Sequence, residues 1–131
     1  MIQVAIVGCG NIAHAHMEGL LTFPKRCQVV ALCDIYPEKA EAMKKEYGLN
    51  CRIYADHETM LEKENKLDLV HVCTPPYVHA EISIHALDAG CNVVVEKPMA
   101  TCLSECDQML EAEKRSKKTL ACAESFPQFD L

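Results

Sequence analysis

Apolar residues are gathered in four short runs: Ile2–Val7 (IQVAIV), Val29–Cys33 (VVALC), Leu67–Cys73 (LDLVHVC) and Val93–Val95 (VVV). They are rich in β-branched side chains and nearly continuous rather than alternating, the pattern of parallel strands covered on both faces. Arg52–Tyr54 predicts a short third strand and Thr119–Ala123 a sixth. Between the runs the apolar spacing lengthens to three or four. After Pro37, Ala40, Met43 and Tyr47 share a face and Gly48 follows as a stop. After Pro76, the face is Val78, Ile82, Ala86 and Ala89, with Gly90 as the stop. Leu103, Cys106 and Leu110 mark a further helix with a basic end at Lys114, Arg115, Lys117 and Lys118, and Asp56 is placed to cap a short one.

Strand and helix therefore alternate, and each parallel pair of strands needs a crossover helix. The expected fold is α/β: a Rossmann-type, doubly wound parallel sheet in three layers, α/β/α, over residues 1–123. Residues 124–131 (ESFPQFDL) carry no helical or strand period and read as the start of a linker.

Composition narrows the class. The chain has 131 residues, half of them apolar and 24% charged, enough for one domain with its own core. The net charge of −6 is spread without like-charged blocks, which argues against a nucleic-acid surface. No apolar run approaches the roughly 18 residues of a membrane span, and the start MIQVAIVG lacks a basic opening. The expectation is a cytoplasmic protein without nucleic-acid or membrane partners. The nine cysteines form no Cys-x-x-Cys pair and several sit in apolar runs, as reduced, structural thiols do.

Chemistry enters at VAIVGCGNIAHAH. Gly8-Cys9-Gly10-Asn11-Ile12-Ala13 reads G-x-G-x-x-A between a strand and a helix. Gly8 permits the tight turn, Gly10 lets backbone approach a pyrophosphate, and Ala13 lets the helix pack closely. The helix N-terminus offers free N–H groups to phosphates. Alone, the pattern serves equally well to pack a strand on a helix. Asp34 tips the balance: it ends the second strand about 20 positions on, where a carboxylate accepts hydrogen bonds from both ribose hydroxyls. A 2′-phosphate would face that negative charge, so NAD is expected over NADP. Metal ligation is not expected: His14 and His16 point to different helical faces, and His57, His71, His79 and His85 lack zinc-like spacing. Nor is it expected at Cys102 and Cys106, which have no His or Asp partners. His71 and His85 read as structural residues.

The stretch TPPYVHAEISIHALDAGCNVVVEKPMA, Thr74 to Ala100, resembles the signature of the glucose–fructose oxidoreductase, inositol dehydrogenase and rhizopine catabolism (Gfo/Idh/MocA) family, with T-P-x-x-x-H after the fourth strand and E-K-P after the fifth. The glycine motif, His16 and RIYADHETML are similar to the family too. The resemblance implies that Gly8, Gly10, Asn11, Ile12 and Asp34 hold the dinucleotide, that Thr74, Pro75 and His79 line its pocket, and that Glu96 and Lys97 lie near the nicotinamide. Lys97 is the expected catalytic group: its ammonium would hold the substrate hydroxyl and stabilise negative charge as hydride leaves. As an isolated Glu-Lys pair the same residues would read as a salt bridge. Pro98 fixes the backbone that aims Lys97.

The resemblance further implies a sugar, cyclitol or polyol as substrate, and a second domain that supplies much of its pocket and the contacts of a homo-oligomer. Nothing in this chain could build that domain. The chain is expected to be a piece of a longer protein, or a natural single-domain relative, with little turnover alone and an apolar patch where the partner domain docks. A dinucleotide-binding regulatory sensor and a glycosidase that uses tightly held NAD are the competing functions.

Overall fold

The computed structural model describes residues 1–123; the expectations for 124–131 lie outside them. Six strands, β1 (Ile2–Val7), β2 (Cys27–Cys33), β3 (Arg52–Tyr54), β4 (Leu69–Val72), β5 (Asn92–Glu96) and β6 (Leu120–Ala123), form one sheet in the order β3-β2-β1-β4-β5-β6. Every pairing is parallel. The connections carry α1 (Asn11–Leu21), α2 (Pro37–Tyr47), α3 (His57–Lys63), α4 (His79–Asp88) and α5 (Leu103–Ser116). This is the doubly wound, three-layer fold expected from the alternation, with the order reversing between β1 and β4.

The two cores show why the strands read as continuous apolar runs. On one face Ile6, Leu32 and Cys73 meet Ala13 and Met17 of α1 and Ala40 and Met43 of α2. On the other, Val70, Val72, Val93 and Val95 meet Met60, Ile82, Ala86, Leu87 and Met109. Alternate strand residues thus enter opposite cores, and both must be apolar.

Local stops behave as the sequence predicts. Gly48 closes α2 in the left-handed region at φ 62°, and the Asp56 carboxylate caps α3 by accepting from Thr59 N–H at 2.8 Å. The Arg52 guanidinium and the Tyr54 hydroxyl then hold buried Glu64 just after α3, tying that helix to β3.

Two helical faces differ from expectation. Leu103 and Leu110 are exposed, and α5 instead buries Met109 and Ala112 against α4. In α4 the buried set is His79, Ala80, Ile82, Ser83, Ala86 and Leu87, whereas Ala89 is exposed and Val78 lies in a short 3-10 turn, Pro76–Val78, ahead of the helix. The buried faces mix large and small residues, Met109 with Ala112 on α5 and Ile82 and Leu87 with Ala80, Ser83 and Ala86 on α4. Apolar spacing alone therefore does not say which of two adjacent stripes meets the core.

Candidate functional site

In an open parallel sheet a crevice forms outside the carboxyl ends of the strands where their order reverses. Here it opens above β1 and β4. At the end of β1 the chain turns at Gly8, whose N–H donates to Cys33 O at 2.7 Å and whose φ is +93°. A Cβ here would stand 2.7 Å from the carbonyl carbon of Cys73 and 2.8 Å from Thr74 N, so the turn lies directly against the end of β4. Gly10 caps α1 without any side-chain hydrogen bond, and a Cβ on it would meet nothing within 4 Å. The first turn of α1, with Asn11 and Ile12 exposed, thus presents bare N–H groups to open space.

Asp34, at the tip of β2, does two jobs locally. Its Oδ2 accepts from Cys9 N–H at 2.8 Å and its Oδ1 from Tyr36 N–H at 2.9 Å. The carboxylate thereby pins the glycine turn to the β2–α2 loop, and each oxygen keeps a lone pair for a further donor. Gly8, Asp34, Ile35, Thr74, Pro75 and Val78 line one cleft. Thr74 Oγ1 is buried there and has no hydrogen-bond partner among the described residues. A buried hydroxyl in that condition fits a site that receives polar groups. Gly10 and Asn11 open onto a neighbouring groove with His14 and Lys39.

Glu96 and Lys97 stand on the other side of the glycine turn, at the end of β5. Lys97 is exposed, and its backbone N–H donates to Glu96 Oε1 at 3.3 Å. The peptide joining it to Pro98 is cis. Glu96 is held from beneath by His16, whose Nε2 lies 2.6 Å from Glu96 Oε2 and whose Nδ1 lies 2.7 Å from Nδ1 of His71. The two rings meet edge to face at 5.0 Å. His71 comes from β4, where it pairs in register with Ile6 and Val94. Burial, and then the neighbouring His16, push its imidazole down to about 4, so it is neutral at pH 7. A neutral His71 either donates its Nδ1 proton to His16 or accepts one from it.

The structure adds to the reading of four histidines, His79, His71, His57 and His85. His79, expected in the pocket wall, is fully buried, with Nδ1 2.8 Å from Pro98 O and Nε2 2.7 Å from Thr74 O. It braces the two signature turns from below instead of lining the cleft, because α4 begins at His79 and carries the ring inward. His71, read as a structural residue in a core strand, is buried there and bonded to His16 beneath Glu96. A lone polar residue inside an apolar strand run was the only signal for it. His57 and His85, which have no partner by spacing, meet through the fold at 2.8 Å. Burial, followed by His85, lowers the His57 pKa below its ordinary value.

Cys9, Cys27, Cys33, Cys51, Cys73, Cys91, Cys102 and Cys106 are free thiols. Burial pushes Cys9, Cys33 and Cys73 up to about 12, which keeps these thiols protonated and unsuited to nucleophilic work. Among the described residues no helix is long and apolar enough to cross a membrane.

Known proteins share this arrangement. Residues 2–124 match the Gfo/Idh/MocA oxidoreductase family, NAD-binding Rossmann fold. An inositol 2-dehydrogenase of Salmonella typhimurium is 29% identical over 119 residues, 91% of this chain and 35% of the relative. A D-glucoside 3-dehydrogenase of Escherichia coli is 33% identical over 120 residues, 92% of this chain and 34% of the relative. Among solved structures, the WlbA dehydrogenase from Bordetella pertussis, in complex with NADH and UDP-GlcNAcA, superposes with a TM-score of 0.86 at 30% identity, over 93% of this chain and 36% of that one. The chain thus spans about a third of the length of these relatives. With a glycine turn, an acidic β2 tip and an E-K-P turn gathered at one sheet edge, and a family match across the described residues, the chain belongs to the Gfo/Idh/MocA oxidoreductases through their NAD-binding Rossmann domain.

Proposed function

We propose that this chain is the cofactor half of an NAD-dependent dehydrogenase that moves hydride between a hydroxyl of a sugar, cyclitol or related polyol and the nicotinamide. The observation that carries the reading is Asp34: its carboxylate is fixed by two backbone N–H groups at the cleft that Gly8, Thr74 and Pro75 also line. Its spare lone pairs suit the two hydroxyls of an adenosine ribose. Gly8, Gly10, Asn11 and Ile12 present the α1 N-terminus to the pyrophosphate, Thr74 and Pro75 flank the path, and His79 holds that flank in place. The bound dinucleotide supplies the hydride acceptor. Lys97 extends into solvent beside it, where its ammonium holds the substrate hydroxyl and steadies negative charge as the proton leaves. Glu96, gripped by His16, keeps the turn before Lys97 fixed. The sugar-like substrate class follows the relatives' activities, and the substrate-binding remainder lies in the part of the protein beyond this domain.

NAD is the expected partner rather than NADP, since Asp34 would face the extra phosphate. The nearest cation along the chain, Lys39, lies over the Tyr36 ring at 5.3 Å. Calorimetric titration of Asp34→Ala with NADH and NADPH tests the reading. Loosening the glycine turn weakens both ligands alike, so the informative quantity is their ratio. We expect NADH to lose at least about tenfold more affinity than NADPH, because ribose contacts and phosphate repulsion vanish together. Equal losses would remove Asp34 from the ribose site.

A further inference from the structure

His57, Glu81 and His85 come together at the junction of α3 and α4, away from the Glu96–Lys97 turn. Glu81 and His85 are four apart on α4 and so share a face. His57 arrives from the first turn of α3, whose start is fixed by the Asp56 cap. Its Nε2 lies 2.8 Å from Nδ1 of His85, the rings are stacked with 5.1 Å between centroids and 19° between planes, and one ligand atom from each of the three side chains falls within 4.8 Å of the others. Both imidazoles are partly buried and the carboxylate is exposed.

From this geometry we propose that His57, Glu81 and His85 bind a divalent transition-metal ion of the zinc class. Two imidazole nitrogens and one carboxylate oxygen are the donor set of three-ligand zinc sites, and imidazole discriminates against magnesium and calcium, which favour oxygen ligands alone. Tetrahedral coordination at about 2.0–2.1 Å sets ligand nitrogens ~3.3 Å apart, so the two rings separate by only about half an ångström. Binding forms three dative bonds and needs no net loss of ring protons. His57 ligates through Nε2 and keeps its proton on Nδ1; His85 ligates through Nδ1 and keeps its proton on Nε2. The ion ties α3 to α4. Because His57 and Glu81 also line the Asp34 cleft, its fourth position lies at the rim of that cleft.

Nine cysteines could capture the same metals, so the probe must separate nitrogen from sulfur ligation. Cobalt(II) titrated into the 131-residue chain, with a non-chelating reductant present, is expected to give visible bands of a four-coordinate nitrogen–oxygen site at one equivalent, without the thiolate-to-cobalt charge-transfer band, and zinc should displace it. Exposed Glu81 permits Glu81→Gln without loss of fold, and this change should weaken cobalt about tenfold, while His57→Gln or His85→Gln should weaken it at least about 100-fold with circular dichroism unchanged. A thiolate band at one equivalent, affinity unaltered in Glu81→Gln and His85→Gln, or no cobalt binding by the unaltered chain would each overturn the assignment.

Discussion

The two sides of the crevice are built by different means. On the β1–β2 side, position is set by backbone: a turn that admits no Cβ at Gly8, a helix end left bare at Gly10, and a carboxylate at Asp34 bonded to two N–H groups. On the β4–β5 side, position is set by side chains that meet across the sheet. His16 reaches Glu96 over 80 positions and His71 over 55, and His79 spans Thr74 and Pro98. The first construction combines steric exclusion at Gly8 with two N–H bonds to the Asp34 carboxylate. The second depends on donors and acceptors, so its state responds to protonation and to the loss of a single ring.

The largest expected effect lies in the steric half. Gly8→Ala places a methyl against Cys73 and Thr74 backbone at a φ that L-residues rarely adopt. Overpacking and left-handed strain together should cost at least about 3 kcal/mol, a large share of the stability of a domain this size. Chemical denaturation should show a sharply lowered midpoint or no folded state. Gly10→Ala is the contrast: open space awaits the methyl, so the midpoint should stay within about 1 kcal/mol of the parent, in keeping with a mild glycine-to-alanine change. NADH affinity should nevertheless fall, since the methyl occupies the approach to the α1 N-terminus. Equal stability losses in the two variants would erase the distinction between a packed and a ligand-facing glycine.

On the other half, Lys97→Ala in a protein carrying this chain together with its substrate domain should lower kcat by about 100-fold while changing NADH affinity little. A matching fall in affinity with kcat preserved would make Lys97 a cofactor-binding group and leave the reaction without a donor on this side.

The same contrast governs how much the sequence reveals. G-x-G-x-x-A and Asp34 are legible because the turn, the helix start and the strand tip are local events with strict steric demands. All six strands are legible for a related reason: the central ones, β1, β2 and β4, are nearly continuous apolar runs, and the strand ends shift by only a few residues. The His16–His71–Glu96 chain and the His57–His85 pair are illegible, since each joins residues from different elements and no spacing rule describes a meeting across a sheet. His79 shows an intermediate case, where the T-P-x-x-x-H pattern marks the residue but not its direction, which depends on where α4 begins. The stripe on α5 fails because the element it packs against is not in the pattern: Met109 and Ala112 join the core, leaving Leu103 and Leu110 outside.

The smallest expected effect is the pH dependence that His71 adds on the side-chain half. Burial lowers the folded His71 ring to about 4, against about 6.5 for an unfolded histidine. Between those values the unfolded chain binds a proton that the folded chain refuses, so stability falls as pH drops through that window. Above it both states are neutral, and below it both are protonated, so this residue contributes no slope in either range. Between pH 7 and pH 5 the loss amounts to about 2 kcal/mol. His71→Val fills the same strand position between Ile6 and Val94 with an apolar side chain and removes the titrating group. Urea midpoints of parent and variant, taken at pH 7, 6 and 5, should therefore converge or cross as pH falls, because other titrating groups act on both alike. Parallel curves would mean that burial does not hold His71 neutral and that the His16–His71–Glu96 chain adds no pH dependence of its own.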